Sequence, residues 1–272
     1  MADYDYWLKQ GQKPIYASLI DLERPEQKRF AGHLLIIGGS KNAFFAVAQA
    51  MQAAQKMGVG EVRALLPSSL KNKVPSTPEV YFAEAESTGV FGKSAYYAMM
   101  EQAAWADAIV IVGDMGKNAE TSVVLAKFLK DCPEKPVYLT RDAIDTATPD
   151  VMNWSQIRVA LTGLMLSISQ LQKLLRTLYY PKVITLSMPT NQLIETLHKF
   201  TISYPDLPLI TYHNGQIIAA HNGQIVTTAL SDTDWTLLTL FDGTLAVRMA
   251  ILKIWNEQAP SIATCASAIV WK

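Results

Sequence analysis

Cysteine is scarce: Cys132 and Cys265 are the two in 272 residues. With no CxxC or Cys/His spacing, they exclude a disulfide scaffold and a zinc site and fit a reducing compartment. An excess of either charge is also missing, since 24 Lys and Arg offset 24 Asp and Glu. A neutral chain carries no electrostatic footprint for nucleic acid or anionic lipid. That leaves a small molecule as the expected partner, or a second copy of the chain in a homo-oligomer. No apolar run approaches the roughly 18 residues that span a bilayer. The opening MADYDYWLKQGQKP mixes acids and aromatics where a leader would place basic and then apolar residues. A cytoplasmic protein without a membrane partner is expected. The four histidines, His33, His198, His213 and His221, lack metal-ligand spacing and read as structural.

What is present is an alternation of short apolar runs and helical patterns. After an N-terminal arm over residues 1–28, His33 to Ile37 reads as a buried strand ending in the turn Gly38-Gly39-Ser40. Phe44 to Met57 is rich in helix formers and closes on Gly58, and Gly60 to Pro67 is the next strand. A strand, helix, strand unit of this length implies parallel strands. The pattern returns as helix Tyr96 to Trp105, strand Ala108 to Val112, turn Gly113 to Gly116, helix Thr121 to Lys130 and strand Lys135 to Thr140. A further strand is expected over Ile157 to Leu161, then a helix from Ser167 to Leu178. Leu209 to Thr228 contains His-Asn-Gly-Gln twice, at His213 to Gln216 and His221 to Gln224, and Asn-Gly between apolar segments marks a hairpin. Helices Leu245 to Trp255 and Ser261 to Val270 end the chain. The expectation is one α/β domain over 1–272. Its mostly parallel sheet is flanked by helices on both faces, with an antiparallel section in the C-terminal half.

Turns that follow strands of a doubly wound sheet open on one edge, so Gly38 to Ser40 and Gly113 to Gly116 should share a cleft. Their amides, with the helix that follows, can hold an anion, or the glycines can simply turn the chain. Asp114 and Asp142 fall on the same edge, where a carboxylate binds a hydroxyl or magnesium ion, or caps a helix. Asp242, before Gly243-Thr244 and a helix, is a candidate base beside phosphate-stabilising amides, with capping as its other reading.

The segment RFAGHLLIIGGSKNAFFAVAQAMQAAQKMGVGEVRALLP resembles the opening of the ADP- or ATP-dependent NAD(P)H-hydrate dehydratases. Gly38, Gly39, Ser40, Ala46, Gly58, Gly60 and Pro67 fall in register with that family's pattern. Pro78-Glu79-Val80 is similar to its Pro-Glu-Val segment, and IVIVGDMG to its Ile-Gly-Pro-Gly-Leu-Gly turn. KPVYLTRDAID is similar to its Asp-Ala-Asp-Ala-Leu strand, with Asp142 at the second Asp. The resemblance spans nearly the whole chain and implies a ribokinase-like fold. It also implies a reaction in which hydrated NADH or NADPH is phosphorylated from ADP or ATP, with magnesium, and then eliminates phosphate. On this likeness Gly38, Gly39, Ser40, Ala46, Gly116 and Asp142 would bind the substrate, Tyr212, Gly243 and Thr244 the nucleotide, and Asp242 would be the base.

The family's chemical residues are partly replaced. Its Gly-Thr-Gly-Asp turn aligns with Asp242-Gly243-Thr244, where the carboxylate is displaced by one or two positions. Its Thr-Pro-His turn aligns with Leu161 to Ser167, which lacks the His and Glu, and its hairpin Lys-Gly is Tyr212-His213. Thr140 stands for the first Asp of the Asp-x-Asp strand. Three readings follow: a dehydratase rebuilt around Asp242, a nucleotide-binding paralogue without catalysis, or a small-alcohol or vitamin kinase of the same superfamily.

Overall fold

The apolar run that begins at His33 forms a strand whose successive side chains enter opposite layers of core. Leu34 and Ile36 pack on one face, and Leu35 and Ile37 on the other. The computed structural model describes residues 5–18, 25–132, 135–147 and 161–271. Its strands are β1 (Trp7–Gln10), β2 (His33–Gly38), β3 (Glu61–Pro67), β4 (Val80–Ala83), β5 (Ala108–Gly113), β6 (Val137–Thr140), β7 (Leu161–Leu166), β8 (Leu209–His213), β9 (Gln216–His221) and β10 (Gln224–Ala229). They form a single ten-stranded sheet in the order β1-β10-β9-β8-β7-β6-β5-β2-β3-β4. The pairs from β8 through to β4 are parallel, and β9 runs antiparallel to both its neighbours. The chain runs outward from β2 through β3 and β4, and then returns to lay β5 on the other side of β2. The β2/β5 boundary is therefore the topological switch point, where the carboxyl ends of the strands splay open.

The described helices are α1 (Phe45–Met57), α2 (Ala95–Trp105), α3 (Ala119–Asp131), α4 (Asp142–Ala147), α5 (Ile168–Thr177), α6 (Thr190–Ser203), α7 (Leu237–Phe241), α8 (Thr244–Trp255) and α9 (Ser261–Val270). Helices α2 to α6 cover one face, where Met99, Phe128, Leu171 and Phe200 join a single apolar cluster. On the other face α8 lies between α1 and α9, burying Ala50, Met249 and Ala266 against Leu34, Ile36 and Val110. The helix starts are built from local chemistry. Asn118 accepts the amides of Glu120 and Thr121 at α3, and Ser167 and Gln170 exchange bonds in a capping box at α5. Both Asn-Gly turns adopt the doubly left-handed geometry that their residues favour, with φ of 45° and 78° at Asn214-Gly215 and 46° and 75° at Asn222-Gly223.

The mostly parallel sheet, the two helical layers and the antiparallel hairpins agree with the sequence reading. Two segments differ from it. Residues expected to form a polar N-terminal arm contain β1, which adds to β10 and is tied in by Gln10, whose side chain donates to Thr228 and to the Ala266 carbonyl. Leu161 to Leu166, aligned with a substrate-binding turn, is instead the almost wholly buried β7. Only Ser167 of that segment lies beyond the strand, as the cap of α5. The strand expected over Ile157 to Leu161 lies outside the described residues except for Leu161, the first residue of β7.

Candidate active site

At the switch point an irregularity between Ile37 and Gly38 brings Gly38 opposite Gly113. A side chain at Gly38 would sit 2.7 Å from the Gly113 carbonyl and 2.9 Å from Val112 Cγ2, so close approach of the two backbones demands glycine there. Gly39 donates its amide to the Gly113 carbonyl at 2.9 Å, and Ser40 donates to Ala43 at 2.7 Å. These amides, expected to face an anion, are used inside the protein. The first turn of α1 is likewise engaged, because the Ala46 amide donates to Asp114 Oδ2 at 3.0 Å. The Asp142 carboxylate accepts the amides of Asp114, Met115 and Gly116 at 2.7, 3.1 and 3.3 Å and so fixes the turn after β5. Gly38, Gly39, Ser40, Ala46, Gly116 and Asp142 are thus brought together, bonded to one another's turns.

Beside them lies the break between α7 and α8. Thr140, at the end of β6, donates its hydroxyl to the Phe241 carbonyl at 2.9 Å and anchors that break against the sheet. Asp242 follows, 1% exposed, with Oδ1 accepting the Thr244 amide at 2.9 Å. Burial pushes its carboxyl above the usual carboxylate range, opposed by the Thr244 donors and by the Arg141 guanidinium. Gly243 has φ of 101°, and a Cβ there would lie 2.8 Å from Val112 Cγ1 and 3.4 Å from Ala50. Val112 therefore forms a wall shared by Gly38 and Gly243, which places the Asp242 turn beside the β2/β5 turns. Tyr212 is not part of this group. It is the penultimate residue of β8, two strands beyond β6, and packs into the α1/α8/α9 layer.

Arg141 was not singled out by sequence reasoning, yet Nη2 pairs with Asp114 Oδ1 at 2.7 Å in the centre of the group. Its one signal was a charge standing where the resembled strand has alanine. Also missed was a cavity of about 570 Å³ that reaches the first turn of α8, lined by Asp232, Trp235, Thr239, Thr244, Arg248 and Trp271. A second, of about 310 Å³, shares Thr239, Thr244, Arg248 and Trp271 and extends to Gln49 and Gln52 of α1. Arg248 donates to the Trp271 carbonyl at 2.8 Å and lies 4.9 Å from the Trp235 ring, and burial lowers its pKa. A third concavity, of about 680 Å³, lies around Glu61 at the amino end of β3, away from the edge where such sheets bind ligands.

No family model matches the chain, and no curated protein matches it by sequence. Solved structures do match. A ribokinase-like superfamily protein of Enterococcus faecalis V583 superposes with a TM-score of 0.66 at 14% identity, covering 99% of this chain and 87% of that one. The fold is ribokinase-like. The same architecture is found in the ADP/ATP-dependent NAD(P)H-hydrate dehydratase of Bacillus subtilis co-crystallised with ATP and Mg2+, at a TM-score of 0.56 and 15% identity over 93% of this chain and 83% of that one. It is found again in an ADP complex of Bacillus subtilis pyridoxal kinase, at 0.52 and 13% identity over 87% and 88% of the chains. Within this ribokinase-like fold the Asp242 turn, the α8 start and the cavity at Thr244 lie on the face formed by α1, α8 and α9.

Proposed function

We propose that this chain is a nucleotide-dependent NAD(P)H-hydrate dehydratase that uses Asp242 as its base. The observation that carries the reading is the Asp242-Gly243-Thr244 turn. A buried carboxylate with a raised pKa stands at the start of α8, beside the glycine turns of the switch point, and a nucleotide-sized cavity opens at Thr244. In this reading Asp242 takes the proton from the hydroxyl of the hydrated nicotinamide, and that oxygen bonds to the terminal phosphorus of ADP or ATP. The bond from that phosphorus to the bridging oxygen breaks, and AMP or ADP leaves. Phosphate is then eliminated with the adjacent ring proton, restoring the double bond. The amides of the first turn of α8 that follow Thr244, whose own amide is held by Asp242, receive the developing negative charge.

The residues fit a nucleotide in size and chemistry, with aromatic rings at Trp235 and Trp271, a cation at Arg248 and Thr244 at the start of α8. Among the described residues no group of three or more His, Cys, Asp or Glu is arranged to hold a metal ion. Magnesium would therefore be held mainly by nucleotide phosphates, as is common for this ion. The reading is tested by incubating hydrated NADH with the protein and magnesium, with ADP and ATP in separate reactions. Recovery of reduced-nicotinamide absorbance that requires a nucleotide is expected. No recovery at high concentrations of folded protein would remove catalysis from the reading.

A further inference from the structure

We propose that Arg141 is the anion-binding residue of the switch-point cleft, receiving the phosphate group of a phosphorylated ligand. The inference rests on the nucleotide reading above and names the residue that meets the ligand's charge. Its backbone is pinned on three sides. Thr140 is tied to the Phe241 carbonyl, Asp142 holds the amides of residues 114 to 116, and the Arg141 carbonyl accepts from Gln170 Nε2 at 2.8 Å. Within that frame Arg141 holds φ of 56°, a left-handed conformation that favours glycine, and its ion-pair partner Asp114 does the same at 57°. A long cationic side chain is thus retained where the backbone favours none.

The pair is asymmetric. The Asp114 side chain is 7% exposed, whereas that of Arg141 is 32% exposed. The carboxylate faces inward to the Ala46 amide, and the guanidinium forms the side of the pair turned to solvent. Asp114 does not need the arginine for compensation, because a carboxylate facing the first-turn amides of a helix, as Asp114 faces Ala46 of α1, is already favoured by the peptide dipoles. A guanidinium carries five donors in a planar fork suited to phosphate oxygens, and Asp114 engages Nη2. Arg141 reaches Asp114 on one side, and its neighbour Thr140 is bonded to Phe241, the residue before Asp242, on the other. Three carboxylates, Asp114, Asp142 and Asp242, stand on the neighbouring turns, and an entering phosphate requires a cation to offset them.

The test is isothermal titration of wild type, Arg141→Ala, Arg141→Lys and Asp114→Asn with ADP and, separately, inorganic pyrophosphate, all with magnesium. Circular dichroism of each variant checks the fold. Arg141→Ala should weaken binding at least about tenfold. Arg141→Lys should fall between it and wild type, and Asp114→Asn, which frees the guanidinium, should bind at least as tightly as wild type. If Asp114→Asn weakens binding as much as Arg141→Ala, the arginine merely holds the turn and the proposal fails. If Arg141→Ala does not fold, the Lys and Asn variants decide it by the same ordering. ADP bound equally by wild type and Arg141→Ala overturns the role of Arg141 and leaves the nucleotide reading standing. Arg141-dependent pyrophosphate binding without binding of ADP keeps the anion site and removes the nucleotide reading, and no binding of either removes both.

Discussion

Asp242 is buried beside a helix start that welcomes its negative charge, in surroundings that otherwise disfavour it, and burial wins. The sign of the consequence follows. A carboxyl whose folded-state pKa is raised contributes stability that is present below the unfolded pKa and is lost as pH rises through the folded value. At neutral pH the ionised Asp242 therefore costs stability. Asp242→Asn, which keeps an oxygen to accept the Thr244 amide, should raise Tm at pH 7 by roughly 2–4 °C. The gain should shrink as pH falls through the raised folded-state value towards the unfolded value of about 4, because the folded carboxyl is protonated first. The same substitution should lower turnover by about 100-fold or more. In the wild type the acid limb of the rate profile should lie above the ordinary carboxylate range, because the base works only when ionised. Thermal denaturation at the two pH values, beside the rate profile, separates these effects. Equal Tm values at pH 7 would show that Asp242 bears no buried charge, and an unchanged turnover would take from it the role of base.

At the scale of elements, the two His-Asn-Gly-Gln turns offer a comparison in which sequence is constant and surroundings differ. Gly215 has open space where a Cβ would go, so Gly215→Ala should cost about 1 kcal/mol of left-handed strain. Gly223 meets Ile202 Cγ1 at 2.9 Å, its amide donates to Thr201 Oγ1, and its carbonyl is bonded by His198 Nδ1. A backbone held in that way cannot relax, so Gly223→Ala should cost about 2 kcal/mol, and urea unfolding of the two variants measures the difference. These hairpins were legible in the sequence because Asn-Gly carries its own turn geometry. So were β2, α1, β5 and α8, whose apolar periodicity is set locally. Strand β1 was not, since Trp7 to Gln10 has no apolar alternation and its order comes from Gln10 reaching residues more than two hundred positions away. The turn aligned over Leu161 to Ser167 failed for a related reason: a short apolar run matches a strand or a turn until its neighbours in the sheet fix the register. At the site, Asp242 and the glycine turns could be located as residues bounding strands and helices. The Arg141–Asp114 pair could not, because two loops 27 positions apart meet only once β5 and β6 lie side by side.

For the whole molecule, the sheet order decides which cavity the proposed nucleotide would use. Strands β2, β5 and β6 present their carboxyl ends beside Asp242, and α8 begins there, so the cavity of about 570 Å³ at Thr244 adjoins the Asp242 turn. The concavity at the amino end of β3 lies on the opposite edge. A ligand that binds only the folded chain stabilises it by about 2.7 kcal/mol at a hundredfold excess over Kd. For a chain of this size that corresponds to a rise in Tm of roughly 5–10 °C. ADP or ATP with magnesium should produce that rise and alter tryptophan fluorescence through Trp235 and Trp271. Arg248→Ala should remove most of the ligand-induced rise whatever it does to Tm without nucleotide, because the guanidinium forms part of the cavity wall beside Thr244. The comparison is between the two ligand-induced shifts, so a less stable variant does not blur it. A full shift in Arg248→Ala would place the nucleotide elsewhere, and the link between the Asp242 turn and phosphoryl transfer would then lose its donor.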